Sequence, residues 1–432
     1  MSAKIAIQLM GQRRFAPLIG ASALGAFNDN LFKMALVMAA TAGSFTFAGM
    51  PNASLAPMAA NAFTLAMFLF SAIAGQVADK YDRAGIMRRT KFFEIGLMIL
   101  AAVGFITMNG YVLLGTLFLM GIQSAFYNPA KMSSIPHYLK SEELVAGNAL
   151  SSGFLLMSVL VGGALGTLLI PAENGRYWVG GVLVAMAIVG WLIIRQTPPS
   201  PSSKQARPVK WNFIVETVRL ISMVLRTPGM ARPILATAWF WAIAATVITL
   251  LPSIVIDVLG QEKELTAALQ VLFTIGAAVG SIACGVFSRG EDATGFSIAG
   301  ALGIVIFTAD LGWQLVTWQT GSSVSIGAFF QDPAHLRLLV DFMLAAVFAG
   351  MFVVPQQALA QRRAPVATRA RLLAGGNILN AAGATGAQTL LIANGYAGGS
   401  QGAAFFVIAF GSLIVAGIII RRVVNAVPDS PS

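Results

Sequence analysis

Charged side chains are scarce in this chain. Of its 432 residues only 10% are Asp, Glu, Lys or Arg, whereas soluble domains hold about a quarter. With 57% hydrophobic residues and a mean hydropathy of +0.77, it is not composed for life in water. Cysteine is reduced to one residue, Cys284, so no internal disulfide and no thiolate metal cluster can form. Histidine is nearly missing too: His137 and His335 lie far apart and fit no metal-ligand spacing, so no metal site is expected. No H-E-x-x-H, G-x-S-x-G or G-x-x-x-x-G-K-S/T pattern occurs, which counts against protease, esterase and nucleotide-driven pump. No nucleophile–base constellation is visible either. The chain is read as a non-enzyme without a cofactor, though a coupling ion, sodium or proton, stays open.

What fills the sequence instead is apolar runs. Twelve candidate spans fall near 16–42, 53–78, 92–108, 110–129, 145–170, 177–195, 230–256, 265–288, 294–318, 336–358, 371–394 and 400–420. Runs of ~20 apolar residues suffice for ~30 Å of hydrocarbon. The first run continues to about Ala42 without a convincing cleavage site, so it reads as an uncleaved span. An even number of spans puts both termini on one side, and 24 of the 28 basic residues collect there. The loop after span 2 alone is credited with Lys80, Arg83, Arg88, Arg89 and Lys91. That bias places the termini in the cytoplasm. It also accounts for the net charge of +11 without nucleic acid.

The expected fold is an all-α membrane protein of two pseudosymmetric six-helix bundles, residues 1–196 and 230–432. Between them, residues 197–229 include "RQTPPSPSSKQARPVKWNF" in part, a composition that cannot bury a core and reads as a cytoplasmic linker. Trp211 to Leu225 is expected to form an amphipathic helix on the membrane surface, with Lys210, Arg219 and Arg226 near anionic headgroups. The halves also resemble each other. At an offset of 229, Gly121 meets Gly350, Pro136 meets Pro365, Lys140 meets Arg369, and Asn148 meets Asn377. Matching loops after spans 4 and 10 are what parallel repeats predict.

The first run contains "LGAFNDNLFKMAL", with Asn28, Asp29, Asn30 and Lys33 in its middle. A central Asp or Lys costs roughly 2.5–3.5 kcal/mol on insertion. Asp29 and Lys33 are four apart and share a helix face, where they can partly neutralise each other. Asn30 flanks that face, while Asn28 is turned about 100° from Asp29. Two readings stand. One is a self-satisfied pair that fixes helix packing; the other is a polar patch on a central cavity, meeting a substrate headgroup or a coupling ion.

Other stretches add candidates. "GQVADKYDRAGIMRRTK" ends span 2: small Gly75 lets helices approach, Asp79 sits at the membrane edge, and Lys80 and Arg83 follow. It is either an ordinary basic loop or a gate. Lys131, beside Pro129, either binds lipid phosphate or follows the charge bias. Ser141 with Glu142 and Glu143 resembles an N-cap with first-turn acids. Glu94 would pair with Lys91 or Arg89, and Arg337 with Asp341, leaving Asp310 with no obvious local partner. The candidate substrate-binding set is Asn28, Asp29, Asn30, Lys33, Gln123, Trp241, Gln357 and Asn380. The candidate gating set is Gly75, Asp79, Lys80, Arg83, Lys131, Asn148 and Asn377. Amides among them serve equally as helix glue, and Trp241 equally as a belt aromatic.

"ALGAFNDNLFKMAL", "YNPAKMSSIPHYLKSEELVAGNAL", "TAWFWA" and "FVVPQQALAQR" with "GGN" resemble the lysophospholipid transporter family of the major facilitator superfamily. "GQVADKYDRAGIMRR" resembles that superfamily's loop motif between spans 2 and 3, although Asp82 and Gly85 depart from its usual spacing. The resemblance implies movement of lysophospholipids such as lysophosphatidylethanolamine from the outer to the inner leaflet of a bacterial inner membrane, for re-acylation. A separate acyltransferase would then be a partner, membrane lipids would surround the chain, and a monomer is expected. It also leaves Asp29 to rely on Lys33, a headgroup ammonium or an ion, because no basic residue lies between Arg232 and Lys263. The rivals are a proton-coupled exporter of drugs or small amphiphiles, with Asp29 or Asp310 as proton carrier, and a non-transporting membrane sensor or assembly partner.

Overall fold

A computed structural model describes residues 8–140, 143–200, 209–287, 294–319, 323–365 and 369–426. Among them are twelve helices of twenty residues or more and no strand. The first six are α1 (Ala16–Thr41), α2 (Asn52–Lys80), α3 (Arg83–Thr107), α4 (Gly110–Tyr138), α5 (Leu144–Leu169) and α6 (Gly175–Ile194). A shorter helix, α7 (Phe213–Arg226), follows. Then come α8 (Ala231–Ser253, continued by a π-turn over Ile254–Val258), α9 (Lys263–Phe287), α10 (Thr294–Thr317), the short α11 (Ile326–Gln331), α12 (Pro333–Arg363), α13 (Arg369–Tyr396) and α14 (Ala403–Ala426). By length and composition nine described helices can cross a membrane. Of the other three long ones, α1 is diluted by its polar stretch at 28–33 and α13 by amides such as Asn377 and Asn380, while α5 carries an apolar stretch over Gly153–Leu169.

Two boundaries differ from the hydropathy reading. The third helix begins at Arg83 rather than near 92, and the fourth runs on to Tyr138. Asp82 causes the first difference. It caps α3, its Oδ2 accepting from the Gly85 N–H at 2.7 Å, so basic residues that look like loop already lie on helix.

The chain divides into two compact units, residues 1–223 and 224–432. In the first, α1 packs on α5 and α6, α2 on α4, and α3 on α4 and α6. In the second, α8 packs on α13, α9 on α12, and α10 on α12 and α14. Helices of the same rank thus pair in both. The matched glycines mark equivalent crossings: a Cβ at Gly121 on α4 would meet the Phe63 carbonyl of α2 at 2.5 Å, and one at Gly350 on α12 would overlap the Ala277 carbonyl of α9. Gly75 is different. A Cβ there meets nothing within 4 Å, so the expectation that it admits a close helix fails.

The start of the presumed linker is packed. Thr197 and Ser200 are buried. The Ser200 N–H donates to Asp82 Oδ1 at 2.8 Å and the Arg83 N–H to the Ser200 carbonyl at 3.0 Å. Tyr138 donates to the Pro198 carbonyl at 2.7 Å, with burial pushing its phenol up to about 12. Arg88 reaches the Thr197 carbonyl. Thr197 and Ser200, flanking two prolines at a chain turn, can therefore be buried when a capping acid and side-chain donors satisfy the backbone. Nearby, Ser141 and Glu142 lie outside the described residues. Glu143 accepts from the Lys140 N–H at 2.8 Å and forms a 2.6 Å ion pair with Arg14; those two donors hold its carboxyl below the usual range. The acid works on Arg14 across the bundle, beyond any dipole effect.

These crossings make a prediction. A Gly350→Ala methyl meets backbone that cannot step aside, and overpacking costs about 1–3 kcal/mol. Gly75→Ala enters open space and gains helix propensity of up to about 1 kcal/mol. Thermal unfolding in detergent is expected to show a lowered midpoint for the first and an unchanged or raised one for the second; equal midpoints would contradict the close crossing.

Candidate functional site

The polar residues of α1 point in different directions, because 100° per residue separates neighbours. Asn28 is fully buried and its Nδ2 donates to the Leu183 carbonyl of α6 at 3.0 Å. It joins two helices and is corrected from binding residue to packing residue. Asn30 donates to its own helix at the Ala26 carbonyl, 2.7 Å away. Asp29, midway along α1 and half-buried, accepts from Ser124 Oγ of α4 at 3.1 Å. Lys33 lies with Nζ 4.5 Å from the centre of the Phe63 ring on α2, a cation–π contact. Among the described residues no ion pair joins Asp29 to Lys33. The self-satisfied pair expected from their spacing is absent: acid and amine share a face, yet each leans on a different neighbour.

Behind Asp29 runs a chain of buried polar groups that hydropathy missed. Ser124 also donates to Gln123 Oε1 at 3.3 Å. Gln123 Nε2 donates to Glu94 Oε2 at 3.0 Å and to the Thr90 carbonyl at 3.3 Å. Glu94 in turn forms a 2.7 Å ion pair with Lys91, their side chains 2% and 1% exposed. Lys91 lies 5.3 Å from the Tyr127 ring centre, and the Tyr127 hydroxyl shares a 2.9 Å hydrogen bond with Ser22. Glycines give the ammonium its room: a Cβ at Gly25 would collide with Lys91 Nζ, and one at Gly190 would stand 3.8 Å from it. Lys91 is therefore no headgroup residue of a basic loop, and Gln123 is spent on the bundle interior. The sequence offered Lys91 and Arg89 as partners of Glu94, and the structure selects Lys91, three residues away and one helical step along the same face.

Lys131 of α4 is half-buried and lines a small cleft between α1, α4 and α5, beside Ser22, Ser151, Phe154 and Leu155. It lies within electrostatic reach of Asp29. One cleft thus offers an amine, hydroxyls and an apolar wall, near a carboxylate.

The remaining candidates scatter. Asp79 and Lys80 are exposed, Lys80 lying 5.5 Å over the Tyr81 ring. Arg83 donates to the Ser133 carbonyl of α4 at 3.3 Å, and Asp82 ties the motif to the chain beyond α6. The side chain of Asn148 lies outside the described residues. In the second unit Asn377, Gln357 and Trp241 are exposed, and Asn380 has a buried Oδ1 without a hydrogen-bond partner. Gln356 donates to Ser297 at 3.0 Å and Gln388 to Thr249 at 3.0 Å, both as helix glue. Arg337 does not neutralise Asp341. It grips Asp310 with two donors, Nε at 2.9 Å among them, while Asp341 accepts from Gln314 at 2.6 Å. Among the described residues no three His, Cys, Asp or Glu are grouped to hold a metal ion.

Two units with the same helix pairing, and ionisable groups buried at mid-helix, define a polytopic secondary transporter. A family model described as Major Facilitator Superfamily matches residues 18–387, and the chain belongs to that superfamily. Among curated proteins it is similar to the lysophospholipid transporter LplT of Escherichia coli O1:K1 / APEC, 28% identical over 356 residues covering 80% of this chain and 79% of that protein. LplT of Escherichia fergusonii is 28% identical over 359 residues, with the same coverage. Among solved structures, a peptide transporter POT in complex with sulfate aligns with a TM-score of 0.71, 15% identity and 98% of both chains. A bacterial homolog of the human lysosomal transporter Spinster aligns with a TM-score of 0.65 and 16% identity, over 95% of this chain and 96% of that one. These structural likenesses show the fold.

The buried ion pair yields a second prediction. Breaking such a pair leaves a naked charge and costs about 3–5 kcal/mol, whereas apolar replacement of both partners is often neutral. Lys91→Met and Glu94→Leu are each expected to lower the unfolding midpoint sharply, and the two together to recover most of the loss. A double variant as damaged as the sum of the singles would show that the two charges are not coupled.

Proposed function

We propose that the chain moves lysophospholipids, such as lysophosphatidylethanolamine, from the outer to the inner leaflet of a bacterial inner membrane by alternating access. The termini are cytoplasmic in this reading, and re-acylation falls to a separate enzyme. The observation that carries it is the separation of Asp29 from Lys33. Acid and amine stand on one helix face without closing on each other, so both charges are at hand for a zwitterion. Asp29 takes the ethanolamine ammonium; Lys33 and Lys131 take the phosphate; Phe154 and Leu155 begin an apolar wall for the single acyl chain. A sugar carrier needs many neutral hydrogen-bonding groups, and an organophosphate carrier needs paired cations without an acid. One compact patch of both signs amid Met, Phe and Leu suits an amphiphile. The 28% identity to proteins named lysophospholipid transporter supports the same substrate class.

Uptake of labelled lysophosphatidylethanolamine into proteoliposomes tests the proposal, with and without sodium or proton gradients. A hydrogen bond to a charged group contributes about 1.5–3 kcal/mol, so Asp29→Asn and Lys33→Ala are each expected to lower uptake roughly tenfold or more. Folded variants that transport at the normal rate would refute the site. Uncoupler-sensitive efflux of a lipophilic drug, with no lysolipid flux, would refute the substrate and favour an exporter.

A further inference from the structure

Helix α7 is amphipathic in an inverted sense. Its polar residues Glu216 and Thr217 are buried, Glu216 to 8% exposure, while Ile214, Val215 and Val218 stand 61%, 55% and 59% exposed. At about 100° per residue, Ile214, Val215, Val218 and Leu225, with Trp211 just before the helix, fall on one arc of about 100°. Leu225 and Trp211 are exposed as well. Gln76 of α2 hydrogen-bonds this segment twice: its Nε2 donates to Glu216 Oε2 at 3.3 Å, and its Oε1 accepts from the Lys210 N–H at 2.9 Å. Phe213 stacks on Phe70 of α2 with ring centres 5.5 Å apart. Arg219 and Arg226 border the apolar arc on one side and Lys210 on the other; Arg219 and Lys210 stand 3.6 and 4.0 Å from Glu216 yet remain half or more exposed, open to a second anion.

A helix normally turns its apolar stripe to the protein and its charges to water. Here the protein takes the carboxylate, and the hydrocarbon is left outside. Water is a poor partner for that arc, and a soluble acidic protein would use the cations without the hydrocarbon. A membrane surface uses both: acyl chains cover the arc while lipid phosphates meet the flanking bases. We propose that α7 lies in the headgroup layer of an anionic leaflet, its apolar arc among the acyl chains, with Gln76 as its tether to α2. The second helix of the first unit would then be anchored to lipid charge at one end, whatever the transported solute.

The test uses the full chain in proteoliposomes. In a Cys284→Ser background, Val215→Cys or Arg219→Cys carries an environment-sensitive nitrobenzoxadiazole label; both positions are exposed, so labelling spares the packing. With phosphatidylglycerol present, the label at 215 is expected to be quenched by brominated lipid and shielded from aqueous iodide, and the label at 219 the reverse. Each basic residue near the surface strengthens the contact about fivefold, so vesicles of phosphatidylcholine alone, or Lys210→Gln with Arg226→Gln, should raise iodide access at 215 several-fold. Iodide access at 215 equal to that at 219 would overturn the proposal. Shielding at 215 without quenching by brominated lipid would overturn it in favour of a protein cover, and indifference to lipid charge would remove the anionic partner.

Discussion

Lys91 and Glu94 occupy the interior of the first unit only because each is there for the other. Removing an ion from water costs several kcal/mol even after relaxation, and the return comes only with close geometry and satisfied lone pairs. Both conditions hold. The pair is 2.7 Å apart, Gln123 takes the remaining demand of Glu94, and Tyr127 lies beneath the ammonium. Gln123 ties the pair to α4, and glycine is required at Gly25 on α1, since a side chain there would occupy the ammonium's place. The ion pair is one helical step within α3, and its neighbours on α1 and α4 are shaped to it. Through Gln123 and Ser124 the same contact reaches Asp29, so the carboxylate proposed to bind a headgroup is held by a scaffold that dispersion packing alone would not specify.

The twelve long helices were legible because hydrocarbon thickness imposes a length that composition reveals directly. The repeat was legible for a related reason: Gly121 and Gly350 stand at equivalent crossings, where only a missing side chain lets backbones meet. What failed to show was anything depending on which face a polar residue turns to. Lys91 counts as a loop cation in a tally of charge along the chain, and the spacing that pairs it with Glu94 in place of Arg89 says nothing of its burial. Arg337 was matched to Asp341 by spacing, yet its carboxylate is Asp310 on another helix. The Asp82–Ser200 contact joins residues 118 apart, a distance over which a Pro- and Ser-rich composition says nothing. Asn28, Asp29 and Asn30 were found together and then part company, to α6, to α4 and to their own helix.

The two units share helix pairing but not polar content. Groups of both signs crowd the middle of the first, where Asp29, Lys33, Lys91, Glu94 and Lys131 fall on three helices. In the second, the ion pair of Asp310 and Arg337 sits toward the end of α10 and the start of α12, and the mid-helix positions carry amides. Amides join helices at modest cost and do not need to be discharged. A repeat that keeps its packing and redistributes its charge has separated the two tasks of structure and recognition. On the proposed reading, recognition would fall chiefly to α1, α4 and α5.

On that division Asp29 and Lys33 become intelligible as a pair that does not close. Four residues apart on a helix, an acid and an amine meet readily when nothing else competes for them. Here Ser124 competes for the acid and Phe63 for the amine. Each competitor is weaker than the counter-charge it replaces: a hydroxyl donates one bond, and a ring face offers an ammonium only its quadrupole. Contacts of that strength keep the charges apart without saturating them. An arriving zwitterion can displace both at small cost and supply a counter-ion to each, whereas a solute of one sign could satisfy only one of the two. Selectivity for a head that carries an ammonium and a phosphate together would follow from holding the protein's own opposite charges just out of each other's reach.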